Sequence, residues 1–530
     1  MANKKILLIE PGYRNKYPPL GLMKLAQYHG PNGKQDSITF IKGPDKKVLE
    51  GVCWDRIYVT TLFSFEWKKI SETIDFAIQA ADRYPNKVFV GGIAASLMPE
   101  AFQEERRWRG VRFIKGLLNT APAVSLRLEA DSEELYSEDT SGTPIEDLIP
   151  DYGILSQIPY RYPVHDAYFA YASRGCVRKC SFCGVPKLEG DLYETPSLTS
   201  IVKGIEKLYG PKKDLTLMDN NIVASPKFKD IIAEIRDLGF TPGAKLKRGR
   251  VPVLRRVDFN QGVDARYLSK SPHFLQELAS ICTDPLRIAF DHWGFRKDYE
   301  QSIRYAHDAG LNSLSNYMLY NFHDSPEDLH ARMWLNIQLN EELNIRIFSF
   351  PMRYQPTNKK DRSHVGPKWN RYYLRTMQII LHATHGIVSG TPSFFRRAFG
   401  ATPDEFANLL IKPHKFVFNR DWYEELEGKP ELEAYESEFK KLSQSDRDDL
   451  MGVLERFETA GSWKGLVEGI SNPKVASVFR YYKPLADVEE VQIWDRQSEL
   501  RARETQSVLV PDDQRVEDAG LDLEPILEKA

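Results

Sequence analysis

At 530 residues, with 42% hydrophobic and 12% aromatic content, the chain is too long for one ordinary domain and apolar enough for sizeable cores, so two or three packed domains are expected. The formal net charge of −2 excludes a global field that would draw the chain to nucleic acid or to an anionic membrane. No apolar run approaches the roughly 20 residues that cross a bilayer, and the stretch within Met1–Glu10 is too short for a secretory signal and reads as a first β-strand.

Residues 1–120 alternate short apolar runs with amphipathic ones. Lys5–Ile9, Ile38–Lys42, Arg56–Thr60 and Lys87–Val90 are predicted strands, and Leu20–Tyr28 is a short predicted helix. Trp67–Arg83 has helical spacing through Ile70, Ile74, Ala77, Ile78 and Ala81. The alternation predicts an open, Rossmann-like, mostly parallel α/β sheet. Gly91 and Gly92 fall at the carboxyl end of its fourth strand, where ligands of such sheets bind. Residues 121–165 read as a linker: Ala130–Thr140 is acidic and polar, and Pro144, Pro150, Pro159 and Pro163 punctuate the rest.

Residues 166–356 form a second α/β block. Its predicted strands are Tyr168–Ser173, Leu215–Asp219, Arg256–Gln261, Leu286–Asp291, Ser313–Tyr320 and Ile345–Arg353. Helical segments lie between them: Leu198–Tyr209, Pro226–Leu238, Pro272–Ile281, Arg296–Ala309 and Pro326–Leu343. Six strand–helix units suit a partial, TIM-like (β/α)6 barrel, with chemistry at the carboxyl ends of its strands. Residues 357–485 read as a helical C-terminal region, in which Trp369, Tyr372, Tyr373, Arg375, Phe394, Phe395, Arg396 and Arg397 stand out. Residues 486–530 are a polar tail, expected to be loosely ordered.

There are five cysteines, and three of them, Cys176, Cys180 and Cys183, share one loop as Cys-x-x-x-Cys-x-x-Cys. An odd count so distributed is a poor disulfide framework, and reduced cysteines imply a cytoplasmic setting. Three thiolates at this spacing can hold three irons of a 4Fe-4S cube and leave the fourth iron open to a ligand. The competing reading is a zinc site, for which a fourth Cys or His is usual. His165 lies nearby but precedes the strand before the loop, and no second cysteine pair follows. Lys179 and Arg178 read as a solvated surface pair. Cys53 and Cys282 carry no assigned role.

The loop and the strand–helix pattern after it resemble the radical S-adenosylmethionine (SAM) superfamily, over about residues 166–356. The resemblance implies a 4Fe-4S cluster at the three cysteines, SAM bound to the open iron, and a reducing partner such as flavodoxin or ferredoxin. It also implies reductive cleavage of SAM to a 5′-deoxyadenosyl radical that acts on a substrate the sequence does not identify. Phe182 matches the aromatic common between the last two cysteines, with its backbone expected to face adenine.

Polar residues at the strand ends supply candidate SAM contacts. Asp219 and Asn220, ending Leu215-Thr-Leu-Met-Asp-Asn-Asn221, are placed to accept from the methionyl ammonium, although this family usually carries a Gly-Gly-Glu-like triplet there. The bland reading is an Asn-rich turn. In Asp258-Phe-Asn-Gln-Gly-Val-Asp-Ala-Arg266, Arg266 could clamp the methionyl carboxylate, and Gln261 with Asn260 could hydrogen-bond SAM or substrate. The alternative is a structural Asp264–Arg266 pair. Asp291 falls where relatives place a polar residue on the ribose; neighbouring His292 reads as structural. Ser325-Pro326-Glu327-Asp328 is a plain helix start.

The N-terminal block resembles the cobalamin-binding domains attached to one group of these enzymes, through Ile6-Leu-Leu-Ile-Glu-Pro-Gly12, Tyr17-Pro-Pro-Leu-Gly-Leu22 and Val90-Gly-Gly-Ile-Ala-Ala-Ser96. Their Asp-x-His-x-x-Gly run is missing, and His29 is the block's only histidine. Cobalamin, if bound, would lack a histidine ligand; the alternative is a Rossmann-like domain that binds nothing or shapes the substrate pocket. Two functions therefore accompany the cobalamin-free reaction as alternatives. One is a cobalamin-dependent methyltransferase. The other is a non-catalytic Fe–S or zinc module that binds RNA or a protein through the C-terminal helices and the basic run Lys245-Leu-Lys-Arg-Gly-Arg250 with Arg255-Arg256.

Overall fold

β1 (Lys5–Glu10), β2 (Ser37–Lys42), β3 (Arg56–Thr61), β4 (Val88–Gly92) and β5 (Arg112–Phe113) form a parallel sheet in the order β2-β1-β3-β4-β5. Ile6 to Ile9 are wholly buried on both faces of β1, as a strand covered on each side by helices requires. The helix Trp67–Ala80 lays Ile70, Ile74 and Ala77 against Ile57, Val59, Val88 and Val90 in one core. Four strands and two helices thus lie where the apolar periodicity puts them. β5 carries only Arg and Phe, too short a run to signal itself.

In this computed structural model the described residues are 3–118, 143–388, 390–457 and 463–483. Ala130–Thr140 and the tail from 486 lie outside them. The chain divides into two units, the first comprising Met1–Ala289, Lys297–Asn316 and Tyr354–His364, the second Phe290–Arg296, Tyr317–Arg353 and Val365–Ala530.

Within the first unit, a second parallel sheet has the order β12-β9-β6, from β6 (Ala167–Ala170), β9 (Asp214–Leu217) and β12 (Val257–Phe259). β13 (Val263–Asp264), β14 (Leu286–Ala289) and the start of β15 (Ser313–Tyr320) continue in parallel, and Val257 bridges to Thr283 between the two groups. The helices Leu198–Tyr209, Phe228–Asp237, His273–Ala279 and Arg296–Asp308 alternate with these strands. The result is the mixed α/β architecture expected, a Rossmann-like sheet followed by a second set of parallel strand–helix units.

Three strands stop two residues short of their expected ends, at Leu217, Phe259 and Ala289. Met218 N–H still reaches Ala170 O (2.9 Å) and Asn260 N–H still reaches Leu217 O (3.2 Å). Beyond these bonds the chain leaves the ladder, because the polar side chains that follow take other partners. The expected strand Tyr168–Ser173 likewise divides: β6 ends at Ala170, and β7 (Ser173–Arg174) pairs antiparallel with β8 (Tyr193–Glu194). The basic run forms a small hairpin, β10 (Lys245–Leu246) with β11 (Val253–Leu254).

The loop after β1 reaches the second sheet. The Tyr17 ring packs edge-on against Phe169 at 6.2 Å, and its hydroxyl bonds Asn260 Oδ1. Phe169, Thr216 and Asp258 share one row across the sheet, and Arg287 closes on Asp258 with bonds of 2.7 and 3.0 Å.

In the second unit the helix Pro326–Leu343 starts at Ser325, whose hydroxyl accepts Asp328 N–H at 3.3 Å. β16 (Arg346–Arg353) follows it. The C-terminal helices close around Tyr372, Phe416, Tyr435, Leu450 and Phe479. Trp369, Tyr372 and Phe395 are buried, and Arg397 is paired with Asp421, Glu424 and Glu425. Trp369, Tyr372 and Phe395 therefore build a core, whereas Phe394 is exposed.

Candidate functional site

The three cysteines sit on a loop whose ends are drawn together by β7 and β8. Gly175 has φ +71°, and a Cβ there would lie 2.1 Å from Asp191 O, so the turn into Cys176 requires glycine. Cys176 N–H bonds Gly190 O (3.2 Å), and Cys183 N–H bonds Cys180 O (3.1 Å). Two backbone donors point at sulfur: Arg178 N–H to Cys176 Sγ at 3.3 Å and Val185 N–H to Cys183 Sγ at 3.4 Å. All three cysteines are half-buried and none is in a disulfide.

Among the described residues, no three His, Cys, Asp or Glu side chains gather where they could hold one metal ion. Both ring nitrogens of His165 are taken, by Arg161 and by Tyr162 O. A cube spreads three thiolates over three irons, so it needs no such convergence. The closed loop, the N–H donors on two sulfurs and the glycine cradle fit a cluster held by Cys176, Cys180 and Cys183.

Behind the loop runs a chain of buried charges. Lys24 Nζ bonds Glu146 Oε1 at 2.8 Å, and Arg174 also bonds Glu146. The other arm of Arg174 reaches Glu189 Oε1 at 2.9 Å. Glu189 Oε2 accepts Gly175 N–H (2.9 Å) and an Asn220 amide hydrogen (2.8 Å). Burial pushes the Glu146 carboxyl up, yet Lys24 and Arg174 hold it below its ordinary range.

Asp219 is turned inward. Its carboxylate accepts Ala172 N–H, Ser173 N–H and the Ser173 hydroxyl, at 3.1, 2.5 and 2.7 Å for the shortest contact of each. It is 3% exposed, and burial raises its pKa to about 6 against the pull of those donors. It ties down the strand–loop junction, and this geometry does not open it to an ammonium group. Asn220 joins the same support through Glu189. Asn221, buried beside them, accepts Asp264 N–H (3.4 Å) on Oδ1 and has no partner on Nδ2.

Beside the loop, Asp264 receives two guanidiniums. Arg266 donates from Nε (2.7 Å) and from a terminal nitrogen (3.1 Å), and Arg178 donates from Nε (2.8 Å). Burial pushes Asp264 up, but the two arginines hold it below its ordinary range. Arg178 is thus not a solvated surface residue, whereas Lys179 makes an exposed pair with Asp191. Burial lowers the Arg266 pKa, but Asp264 and, after it, the neighbouring Cys180 raise it above its ordinary value. Gln261 is exposed and Phe182 half-buried. Asp291 lies in the second unit, half-buried, next to exposed His292, whose Nδ1 accepts Gly294 N–H at 2.9 Å. Cys282 is a half-buried thiol that burial pushes up to about 11, and Cys53 is exposed.

At the carboxyl end of the first sheet, Gly92 has φ +98°, and a Cβ there would meet Thr61 O at 2.4 Å. The helix Ile93–Leu97 that follows packs against Val185–Leu188 of the cysteine loop. On the β1–β2 side this end is filled by the chain itself: Lys42 bonds Glu10 and Asn15 (both 2.7 Å), and the Tyr162 hydroxyl bonds Glu10. His29 is fixed between Asp36 (2.8 Å) and the Tyr58 hydroxyl (2.9 Å), so both its nitrogens are occupied.

The residues missed by sequence reasoning are Lys24, Glu146, Arg174, Glu189 and Asn221. They are scattered in sequence, and no spacing rule connects them. Only Arg174, two residues before Cys176, and Asn221, next to Asn220, lay beside a signal.

No family model matches the chain. The ribosomal protein uS12 methylthiotransferase RimO of Xanthomonas axonopodis pv. citri (strain 306) is 37% identical over 82 residues, covering 15% of this chain and 16% of that protein. RimO of Chlorobium phaeobacteroides (strain BS1) is 30% identical over 86 residues, covering 15% and 19%. The match therefore spans less than a fifth of these relatives' length. Among solved structures, the radical SAM methyltransferase TsrM of Kitasatospora setae, with cobalamin and a 4Fe-4S cluster bound, aligns at a TM-score of 0.46 and 15% identity. That alignment covers 67% of this chain and 77% of TsrM. The cobalamin-dependent radical SAM enzyme OxsB aligns at 0.47 and 14%, covering 99% and 83%. Over the short stretch matched to RimO the chain is similar to these methylthiotransferases.

Proposed function

We propose that the chain is a radical SAM enzyme that reductively cleaves SAM and acts on a substrate by hydrogen abstraction. The observation that carries this is the closed loop presenting Cys176, Cys180 and Cys183 with backbone donors on two of the sulfurs. A 4Fe-4S cluster held there, with one open iron, would supply the electron that splits the S–C5′ bond of SAM, giving methionine and a 5′-deoxyadenosyl radical.

The chain's own residues would bind and orient. Arg266, held in place by Asp264 beside Cys180, is the proposed clamp for the methionyl carboxylate. Asn220 is the proposed acceptor for the ammonium through its carbonyl oxygen, since Asp219 is committed to the loop. Gln261 and the Phe182 backbone are proposed contacts to SAM or substrate. Reduced cysteines and an oxygen-sensitive cluster suit a reducing, cytoplasmic setting with a flavodoxin or ferredoxin as electron donor. No helix among the described residues is long and apolar enough to cross a membrane.

Anaerobic reconstitution tests the reading. The wild-type chain should become brown and cleave SAM when reduced, and the triple Cys→Ala variant should do neither. A colourless wild-type chain, or SAM cleavage that survives the triple substitution, contradicts it.

A second reading, cobalamin-dependent methyl transfer, is favoured by one observation: the helix at the carboxyl end of β4 packs on the cysteine loop. A ligand on Gly91 and Gly92 would lie near that loop. With His29 fully occupied, cobalt would have no imidazole from this domain. Absorption spectra after loading with hydroxocobalamin separate the two readings.

A further inference from the structure

Glu146 precedes Arg174 by 28 residues and belongs to the segment that joins the two α/β blocks, yet its carboxylate is buried behind the cysteine loop. Two cations share it, Lys24 from the helix Leu20–His29 and Arg174 from β7. Arg174 has no slack: its guanidinium lies 3.5 Å from the Tyr171 ring centroid, and its other arm is on Glu189. Glu189 in turn fixes Gly175 N–H, and the next residue, Gly190, accepts Cys176 N–H. The chain Lys24–Glu146–Arg174–Glu189 therefore runs from the first domain to the backbone N–H of Gly175, the residue before Cys176. Two positive and two negative charges balance in it.

We propose that Glu146 is a positioning residue that holds the cysteine loop in its ligating shape through Arg174 and Glu189; calling that shape ligating rests on reading the loop as a cluster site. Removing one partner of a buried pair leaves the other charge uncompensated in a low dielectric. A cavity of about 110 Å³ lies beside the network, lined by Lys24, Glu146, Tyr171 and Arg174 among others. That is room for several waters. Loss of the Glu146 charge should accordingly hydrate Arg174 and loosen the loop locally, leaving the rest of the unit folded.

Hydrogen–deuterium exchange on the full-length chain, without added metal, tests the clamp. Glu146→Gln should speed exchange of amides in residues 173–190 at least tenfold, with β1 and β3 unchanged. Glu146→Asp, which keeps the charge, should restore most of the protection. Should Glu146→Gln fail to fold, the charge-balanced pair Lys24→Gln with Glu146→Gln should fold and show the same local loosening. In the reconstituted protein, Glu146→Gln should lose iron to a chelator several-fold faster than wild type. Unchanged exchange in 173–190, or a rise spread equally over β1 and β3, overturns the clamp even if the wild type holds iron. A local rise with no iron in the wild type supports the clamp and overturns the cluster reading instead.

Discussion

Arg178, between the first two cysteines, donates its Nε–H to Asp264 at 2.8 Å, a residue 86 positions further along the chain. Asp264 also orients Arg266, which stands beside Cys180. One carboxylate thus ties the cysteine loop to the proposed SAM clamp. Arg178 is a third exposed, so the stability of its own bond is modest, about 1 kcal/mol after screening. Asp264→Asn should leave the fold intact, weaken SAM binding about tenfold by releasing Arg266, and speed exchange around residue 178. Equilibrium dialysis with labelled SAM measures the first effect; unchanged affinity would remove Asp264 and Arg266 from the clamp.

Gly175→Ala tests the loop's backbone. The substitution puts a methyl 2.1 Å from Asp191 O at a positive φ, a conformation that costs an L-residue roughly 1–2 kcal/mol before any clash. Iron content after reconstitution should fall to near that of the triple Cys→Ala variant, while far-UV circular dichroism stays native. Full iron in Gly175→Ala would show that the loop opens to bind.

Asp219 supplies a pH signature. Its folded pKa, about 6, is raised above the ordinary 3.8 by burial, so folding favours its protonated form. Its contribution to stability is complete below pH 3.8 and is lost as pH rises through 6, a swing of about 3 kcal/mol. The melting temperature of wild type relative to Asp219→Asn should therefore decline from pH 4 to pH 7. A flat difference would mean that the carboxylate is better solvated than its setting implies.

His29 bears on cobalamin. Both its nitrogens are engaged, and burial lowers its pKa. His29→Gln should lower the melting temperature by several degrees through the lost Asp36 and Tyr58 bonds, worth about 2–4 kcal/mol. It should leave the spectrum of any bound cobalamin unchanged. A shift of that spectrum would make His29 a cobalt ligand after conformational change.

Much of the fold was legible because its strands are short apolar runs between amphipathic helices, and Ile6–Ile9 or Ile70–Ala77 carry that periodicity plainly. Strand ends were less legible. The hydrophobic run Leu215–Met218 continues into Asp219, but Asp219 leaves the ladder to bind Ala172 and Ser173, contacts 46 or 47 residues away. The cysteine loop was readable from local spacing alone. Its support was not: Glu146 and Lys24 meet Arg174 only after the chain folds, and buried ion networks leave no periodic trace. In the basic run Lys245, Lys247, Arg248 and Arg250 are exposed, as its composition implies, but Arg255 lies over the Phe240 ring, and Trp369, Tyr372 and Phe395 of the C-terminal helices are spent on a core.

The central claim is tested most directly by electron paramagnetic resonance of the anaerobically reconstituted, dithionite-reduced wild-type chain with and without SAM, together with iron and sulfide counts. About four irons and four sulfides per chain, with a spectrum that changes when SAM is added, is the predicted result. One zinc per chain, or a cluster whose spectrum ignores SAM, would contradict it.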